Sequence, residues 1–265
     1  MTTGASRITR VTSRSNPLLV RLRKLASEPT AYRKFGEIWL EGEHLCAAYL
    51  ARGKGAAQGV IGEAAWADAA LRVLVERCET VHIVDDALLR TASGLESPAP
   101  VGFIVPWEGS AAAGPRAGVP TVVLDRLQDA GNVGTLLRSA AAFGFEQVVA
   151  LSGTAALWSP KVVRAGMGAH FGLHLVEQAG VDALAGLGDV PLLATSSHAD
   201  AAIDRTVLPW PCAWVFGHEG QGVSTELMRR CTRTLRIPQP GGEESLNVAA
   251  AAAVCLYESA RQRSR

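Results

Sequence analysis

Apolar residues along this chain recur with two spacings, and the two spacings alternate. In the C-terminal part, short runs that are apolar throughout are typical of strands buried on both faces. These runs lie at residues 121–124, 147–151, 173–176, 191–194, 213–216 and 234–237. Stretches with helical spacing separate most of them, at residues 133–143, 161–167, 225–230 and 246–261. The alternation predicts a parallel sheet with helices on both faces.

The N-terminal part alternates in a similar way. We expect helices at residues 17–27, 42–51, 64–78 and 85–92, and strands at 37–40, 81–84 and 101–105. A stretch rich in glycine, proline and alanine at 107–118 follows and shows no periodicity. The chain is therefore predicted to contain a small α/β domain at 1–107, a linker at 108–118 and a second α/β domain at 119–265.

Charge is distributed unevenly although the formal net charge is only +1. Residues 1–40 carry eight basic and two acidic side chains, which makes the start of the chain a basic arm on a near-neutral body. Such an arm suits a phosphate backbone, and a solvated tail explains it equally well. The start of the chain has no apolar core of a secretory signal, and no apolar run is long enough to span a bilayer. Five cysteines form no CxxC pair, which predicts idle thiols in a reducing cytoplasm.

Three separated stretches carry the candidate chemistry. They are NVGTLLRSAAAFGF at 132–145, FGHEGQGVS at 216–224 and IPQPGGEESLNV at 237–248. Each places glycines or a helix start beside polar side chains, just after a strand-like run. Backbone N–H groups can approach a small ligand closely in such turns. Three of them predict strand ends that converge on one pocket at one edge of the sheet.

Each polar residue in these stretches also has a structural explanation. Asn132 stands where a helix N-cap is expected, and Arg138 lies off the apolar stripe of the same helix. Glu219 is the acid of a tight glycine turn, which makes it either a ligand contact or an exposed carboxylate. Ser245 and Asn247 precede the last helix, where each is a cap or a ligand contact.

Other site classes find little support in the sequence. There is no GxxxxGK[ST] phosphate loop, no GxGxxG after the first strand of either domain and no GxSxG elbow. The histidines and cysteines do not have zinc-ligand spacing, so no metal site is expected.

Taken together, the three stretches resemble the motifs of the SpoU/TrmH family of RNA ribose 2′-O-methyltransferases, in the SPOUT class. The resemblance covers residues 119–265. The N-terminal part, with SRSNPLL and WLEGEHL, resembles more loosely the RNA-binding domain that many members carry. One departure is the PGGE segment at 240–243, where relatives more often have a plainer spacer.

The resemblance implies a parallel sheet with a C-terminal trefoil knot, and a cytoplasmic homodimer packed through the C-terminal domain. It implies S-adenosylmethionine as cofactor and a metal-free reaction at a ribose 2′-hydroxyl of structured RNA. We expect 23S ribosomal RNA as the substrate, and transfer RNA as the next candidate. The residues implied for catalysis are Arg138, Asn132, Glu219, Ser245 and Asn247. Those implied for the cofactor are Gly217, Ile237, Leu246, Thr195, Gly220 and Asn247.

Family reasoning gives the matched Arg138 the task of helping the hydroxyl lose its proton. Neutralising a free arginine side chain at pH 7 costs about 9 kcal/mol. We therefore expect Arg138 to bind the adjacent phosphate and stabilise the developing alkoxide rather than act as a base. Two alternatives stay open at this point: an RNA-binding protein that has lost catalysis, and a nucleotide-using enzyme on an ordinary Rossmann sheet.

Overall fold

The structure is a computed structural model that describes residues 7–107, 109, 114–241 and 246–263. The first elements are, in chain order, β1 (Arg7–Val11), α1 (Pro17–Ser27), α2 (Ala31–Phe35), β2 (Glu37–Glu41), α3 (Glu43–Ala51), β3 (Ala56–Gly62), a 3₁₀ turn (Ala65–Ala67), α4 (Ala69–Val75), β4 (Cys78–Val84), α5 (Asp86–Arg90) and β5 (Val101–Pro106).

The later elements continue the alternation of strands and helices. They are β6 (Thr121–Asp125), α6 (Ala130–Ala142), β7 (Gln147–Leu151), α7 (Pro160–Gly166), a 3₁₀ turn (Ala169–Phe171), β8 (His174–Ala179), a 3₁₀ helix (Val181–Leu187), β9 (Leu192–Thr195), a 3₁₀ turn (Ile203–Arg205), β10 (Ala213–Gly217), α8 (Thr225–Arg230), β11 (Arg233–Leu235) and α9 (Val248–Arg263).

The chain divides into two compact units. The first holds Met1–Gly109 and Trp158–Phe171, and the second holds Ser110–Leu157 and Gly172–Arg265. The first break lies inside the segment expected as a linker. The expectation was wrong for residues 158–171, because α7 packs against α1 and β2 within the first unit. The apolar face of a helix shows in the sequence, but the sheet that the face will cover does not.

Among the described residues, the first unit contains a five-stranded mixed sheet in the order β1-β4-β3-β5-β2. Strands β1 and β3 run parallel to β4, whereas β5 is antiparallel to both β3 and β2. Helix α1 buries Leu18, Leu19, Leu22 and Leu25 in this unit's core. It begins at Pro17 as predicted, because the Asn16 side chain accepts a hydrogen bond from the Leu18 N–H at 2.9 Å.

Two expectations for the first unit were wrong, and one strand was not predicted. Residues 7–11 are not part of a free arm, because they pair with β4 as edge strand β1. Strand β3 was not expected, since its small residues do not look strand-like; a Cβ at Gly59 would come within 3.0 Å of Cys78 Sγ, so the packing favours glycine there. The helix expected over 64–78 is interrupted because Asp68 caps α4, accepting from the N–H groups of Ala70 and Leu71.

The second unit confirms the predicted parallel α/β architecture. Its described strands form a six-stranded sheet in the order β11-β9-β10-β6-β7-β8, and every pairing is parallel. Strands β6 and β10 are buried along their whole length. Their carboxyl ends, Asp125 and Gly217, lie side by side in register at one edge of the sheet. Such an edge is where open α/β sheets bind ligands. The trefoil knot stays a prediction.

All five cysteines are free thiols, four of them buried. Burial raises the pKa of Cys212 to about 12 and that of Cys231 to about 11, so these thiols are protonated at neutral pH. In the part of the chain that is described, no helix has the length and apolar character needed to cross a membrane.

Candidate active site

A cavity of about 320 Å³ is lined by residues of the second and third predicted stretches and by none of the first. It lies at the carboxyl ends of β9 and β10 and beside the first turn of α9. Its walls are formed by Thr195, Phe216, Gly217, His218, Glu219, Gly222, Val223, Leu246, Asn247, Val248 and Ala251. Apolar side chains, backbone groups and a few polar side chains therefore share one small cleft, as in many small-molecule sites.

The loop after β10 is closed tightly on itself. A Cβ on Gly217 would overlap the backbone of Gly222 and Val223, so a side chain does not fit at this position. Gly222 has a φ of +67° and donates its N–H to the carbonyl oxygen of His218 at 2.8 Å. The N–H of Gly220 donates to Nδ1 of His218 at 3.0 Å. His218 therefore shapes the loop through its carbonyl and its ring.

Glu219 connects this glycine loop to the start of α6. Its carboxylate accepts hydrogen bonds from the N–H of Gln128 at 3.2 Å, the N–H of Asp129 at 3.1 Å and the side-chain amide of Asn132 at 3.3 Å. Partial burial alone would raise the pKa of Glu219. Hydrogen bonds from its own N–H and from these three donors outweigh burial and hold the pKa below its ordinary value. Glu219 is therefore ionised at neutral pH.

Asn132 joins the first stretch to the third. Its side-chain oxygen accepts a hydrogen bond from the side-chain amide of Asn247 at 3.1 Å. Asn247 also caps α9, because its side-chain oxygen accepts from the N–H groups of Ala249 at 2.9 Å and Ala250 at 3.2 Å. The hydrogen bonds from Asn247 through Asn132 to Glu219 thus link all three stretches at one edge of the sheet.

Asn132 does not cap α6, which corrects the sequence-based expectation. The helix begins at Ala130, and the cap is Asp129, whose side chain accepts from the N–H of Asn132 at 2.8 Å. Gly131 makes room for this cap, because a Cβ there would come within 2.9 Å of Asp129 Oδ1. Gly144 follows the helix with a φ of +77°, as expected for a glycine after a C-terminus. The Asn132 side chain is therefore available to Glu219 and Asn247.

A second acid, which no sequence pattern indicated, lies at the same edge. Asp125, 3 % exposed, ends β6 and accepts the N–H of Ser224 at 2.6 Å. The neighbouring Arg126 donates its Nε to Asp125 Oδ1 at 3.0 Å and its Nη1 to Gln221 at 3.1 Å. Arg126 has a φ of +60°, which is uncommon for a side chain other than glycine. Asp125 therefore holds Ser224 and Arg126 holds Gln221, so the two residues fix the second half of the glycine loop. No local sequence signal indicated this pair.

Apart from Asn132 and Arg138, the predicted site residues fall into three groups. Thr195, Gly217, Leu246 and Asn247 line the cavity, as does Glu219. Gly220 is exposed on the glycine loop, Ile237 is half-buried after β11, and neither belongs to the lining. Ser245 lies outside the described residues.

Arg138 stands apart from the cavity lining. It is exposed on α6 and makes no hydrogen bond or ion pair with any described residue. Its guanidinium is therefore available to a phosphate or to a second protein chain.

The cavity suits the cofactor that the resemblance implies. Its volume lies in the range of about 300–1,000 Å³ usual for small-molecule sites. Phe216, Val223 and Leu246 offer apolar surface for an adenine ring, and the turn at Gly217 offers backbone groups. The carboxylate of Glu219 is the acid among the lining residues, which favours a cationic sulfonium nearby. The described residues contain no cluster of three or more potential metal ligands.

Comparison with known proteins matches this region to a family. The model of the SpoU rRNA Methylase family matches residues 120–257, which include all three stretches. An uncharacterized tRNA/rRNA methyltransferase of Synechocystis is 33% identical over 97% of this chain and 96% of its own length. The 23S rRNA (uridine(2479)-2′-O)-methyltransferase of Streptomyces viridochromogenes is 30% identical over 75% of this chain and 72% of its own.

A solved structure extends the similarity to the fold. The SpoU methyltransferase AviRb from Streptomyces viridochromogenes, in complex with the cofactor AdoMet, superposes with a TM-score of 0.83. The two chains are 25% identical, and the match covers 94% of this chain and 98% of that one. The likeness therefore includes the first unit as well as the sheet that carries the site.

Proposed function

This chain belongs to the SpoU rRNA methylase family, and from that membership we infer that it is an RNA ribose 2′-O-methyltransferase that uses S-adenosylmethionine. We propose 23S ribosomal RNA as its substrate, because a relative that matches most of the chain is named for that activity. Transfer RNA is the second candidate, since a full-length relative is named for both RNA classes. A site of action in the cytoplasm follows from the same substrates.

The observation that carries the proposal is the hydrogen-bonded link between the three stretches. Glu219 accepts from Asn132, and Asn132 accepts from Asn247, although these residues are 87 and 115 positions apart in the chain. Two members of the link, Glu219 and Asn247, line the cavity that suits the cofactor. A retained RNA-binding protein without catalysis would need neither this cavity nor the ionised carboxylate beside it.

S-adenosylmethionine supplies an already activated methyl group when bound. The protein then has two tasks: to align the ribose hydroxyl with that group and to assist loss of the hydroxyl proton. We propose that the glycine loop and the start of α9 hold the cofactor through Gly217, Leu246 and Asn247. Thr195 contributes from the end of β9, and Gly220 and Ile237 contribute from the loops around the cavity. Ser245 precedes Leu246 and is proposed to contact the substrate.

Arg138 is proposed to bind the phosphate next to the reacting ribose and to stabilise the alkoxide that develops as the proton leaves. Its exposure and its lack of any described partner support this role. Because it does not line the cavity of its own chain, we propose that it serves the cavity of a second copy. The enzyme would then be a homodimer whose sites draw on both chains.

The surface of α9 supports such a dimer. This helix packs against α6, which carries Arg138. It exposes Val254 at 40 % and Tyr257 at 54 %, and the Tyr257 ring lies edge-on to Phe143 with centroids 5.8 Å apart. Apolar side chains exposed on a helix that packs against α6 suit a surface that a second copy covers.

The first unit is proposed to bind the RNA substrate. Its described surface carries many of the basic side chains of the chain's first forty residues. Removal of residues 1–107 is a poor test of this role, because α7 packs on α1 and β2, which the truncation deletes. Point substitutions that leave the fold intact are therefore needed.

The test of the proposed function is a map of ribose-methylated positions in 23S ribosomal and transfer RNA from cells with and without the gene. One position that loses its methyl group, and regains it when purified protein and S-adenosylmethionine are added, confirms the proposal. Identical maps, together with no uptake of S-adenosylmethionine in calorimetry, would instead identify an RNA-binding protein.

A further inference from the structure

The first unit has a groove of about 730 Å³, larger than the cavity of the candidate active site. Its walls come from α1, the end of α2, and strands β3 and β4. Arg21 and Lys24 lie on α1, Lys34 and Phe35 on α2, and Gln58 and His82 on the two strands. The lining contains three cationic side chains and no carboxylate. None of these residues takes part in the candidate active site.

Helix α1 presents two faces, and one of them forms a wall of the groove. Leu18, Leu22 and Leu25 point into the core. Val20 and Lys24, four residues apart, share a neighbouring face. Val20 is 43 % exposed, so this face combines an uncovered apolar side chain with a positive charge. A ligand that pairs flat apolar surface with negative charge matches such a wall.

The three cations differ in how they are held. Arg21 is fixed in place, because its Nε lies 3.2 Å from Glu37 and its Nη2 donates to Gln58 at 3.0 Å. The side chains of Lys24 and Lys34 form no ion pair or hydrogen bond with any residue that the structure describes. Their two ammonium groups are therefore free to bind phosphates at the two sides of the groove.

The groove also contains two rings. Phe35 is half-buried, and the ammonium of Lys34 lies 6.0 Å from its ring centroid. His82 is held by the hydroxyl of Thr9, whose Oγ1 lies 2.6 Å from Nδ1. Burial first, and then the positive charge of Arg21, lower the pKa of His82, so its imidazole is neutral at pH 7. Rings beside free cations suit single-stranded nucleic acid, because bases stack on the rings while the cations bind phosphates.

We infer that this groove binds a single-stranded segment of the RNA substrate, with Lys24 and Lys34 on phosphates and a base against Phe35. The inference rests on the proposed function and names the surface that would hold the substrate. A single strand fits because its bases are free to leave the stack, whereas duplex RNA presents mainly its backbone. An acidic protein segment would satisfy the lysines but would leave the ring of Phe35 without a stacking partner.

The lysines are tested by salt titration of binding to a fluorescein-labelled oligouridine, measured by fluorescence anisotropy on the full-length protein. Lys24→Gln and Lys34→Gln should each lower the slope of log affinity against log salt by about 0.7, the value for one phosphate contact of a single strand. The matched control is Lys54→Gln, the same charge change at an exposed position of the same unit outside the groove. It should leave the slope unchanged.

Phe35→Leu keeps the side chain apolar and tests the stacking contact. It should weaken oligouridine binding about fivefold or more without changing the salt slope. Circular dichroism and the melting temperature establish that each variant is folded. If both lysine variants bind as the wild type does, or if duplex RNA displaces the oligouridine more effectively than single strands do, the inference is wrong. Uptake of S-adenosylmethionine by the same variants is the separate readout of the proposed function, since the groove lies outside the cofactor cavity.

Discussion

Asn247 donates its side-chain amide to the side-chain oxygen of Asn132 at 3.1 Å. The direction of this bond is fixed by its neighbours. Ionised Glu219 can only accept, so the amide of Asn132 must point toward it and leave the oxygen for Asn247. The oxygen of Asn247 is already occupied by two N–H groups of α9. One carboxylate therefore sets the orientation of both amides and connects the glycine loop to the last helix.

Asn247→Asp should distinguish the two roles of this side chain, which caps α9 and donates a hydrogen bond to Asn132. An aspartate still accepts from the first N–H groups of α9, so the melting temperature should stay close to that of the wild type. It has no amide to donate to Asn132, and its charge repels Glu219. We expect affinity for S-adenosylmethionine, measured by calorimetry, to fall about tenfold. Asn247→Ala is the comparison, because it should also lose about 0.5–2 kcal/mol of stability with the cap. Wild-type affinity in the aspartate variant would contradict the role of the link.

Glu219→Gln should weaken the hydrogen bonds between the glycine loop and the start of α6. Its effect on stability should depend on pH. The folded-state pKa of Glu219 is lower than the ordinary value of 4.5. Its stabilising effect is therefore complete above pH 4.5 and is lost as the pH falls through the folded-state pKa. The exposed carboxylate contributes no more than about 1 kcal/mol. Thermal unfolding should show the wild type more stable than the variant at neutral pH, and the two should converge in acid. If the variant stays less stable than the wild type in acid, packing of the side chain and not its charge accounts for the difference.

The sequence predicted the three stretches but not their side-chain partners. Glycine-containing turns after apolar strands are local signals, and they located Gly217 and Asn247 in the cavity wall. The partner of Asp125 is the N–H of Ser224, 99 residues away, and no local pattern encodes such a pairing. The cap of α6 was expected at Asn132 and lies at Asp129, because glycine is a poor helix former and Gly131 therefore did not look like a helical residue. The structure requires a residue without a side chain at 131, because Asp129 approaches it closely.

Local patterns also predict some helices and strands correctly and others not. Helix α1 and strand β7 have the predicted bounds, because amphipathic or continuous apolar patterns define them. Strand β1 was read as a tail, since Arg7 and Arg10 suggest solvent. An edge strand tolerates such residues because it has a neighbour on one side alone. Packing of α7 in the first unit depends on tertiary structure that periodicity does not carry.

Asp125→Asn should weaken the attachment of the glycine loop to the end of β6. The amide can still accept from the N–H of Ser224, but it loses the charged bond with Arg126, whose Nε lies 3.0 Å from the carboxylate. Because Asp125 is buried, we expect a loss of about 1–3 kcal/mol in the free energy of unfolding, measured by urea denaturation. Cofactor affinity should fall in parallel. An exposed acid of the same unit, changed in Asp189→Asn, should have little effect on either measurement.

Substitution by alanine should impair one glycine of this loop, Gly217, and leave another, Gly220, nearly unaffected. A Cβ on Gly217 overlaps the backbone of Gly222 and Val223, so Gly217→Ala must displace the loop, and binding of S-adenosylmethionine should be lost or weakened by at least about a hundredfold. At Gly220 the nearest atoms to a Cβ are those of the His218 ring at 3.8 Å, an ordinary contact. Gly220→Ala should therefore fold normally and bind the cofactor within a factor of about three. Equal losses in both variants would mean that the cofactor lies directly against the Cα of Gly220, where a side chain has no room, and not only near its backbone polar groups.

Arg138→Ala should remove turnover while sparing the fold and the cofactor site. The side chain is exposed and has no described partner, so the melting temperature should change little. Calorimetry should show S-adenosylmethionine uptake close to that of the wild type, because Arg138 does not line the cavity. Loss of a charge that stabilises the alkoxide should lower kcat for RNA methylation by about 100-fold to 1,000-fold.

Two further variants and one mixing experiment separate the explanations for such a loss. Arg138→Lys keeps the charge but not the planar fork, so it should remain strongly impaired if the guanidinium binds a phosphate through two N–H groups. Arg229→Ala, at an exposed position of α8, is the matched control and should retain wild-type turnover. If Arg138 serves a second copy, mixing Arg138→Ala with the cofactor-deficient Gly217→Ala variant should restore part of the activity, since one of the two sites in a mixed dimer then has both an intact cavity and an arginine. No recovery, in mixtures shown to exchange subunits, would place Arg138 in the site of its own chain.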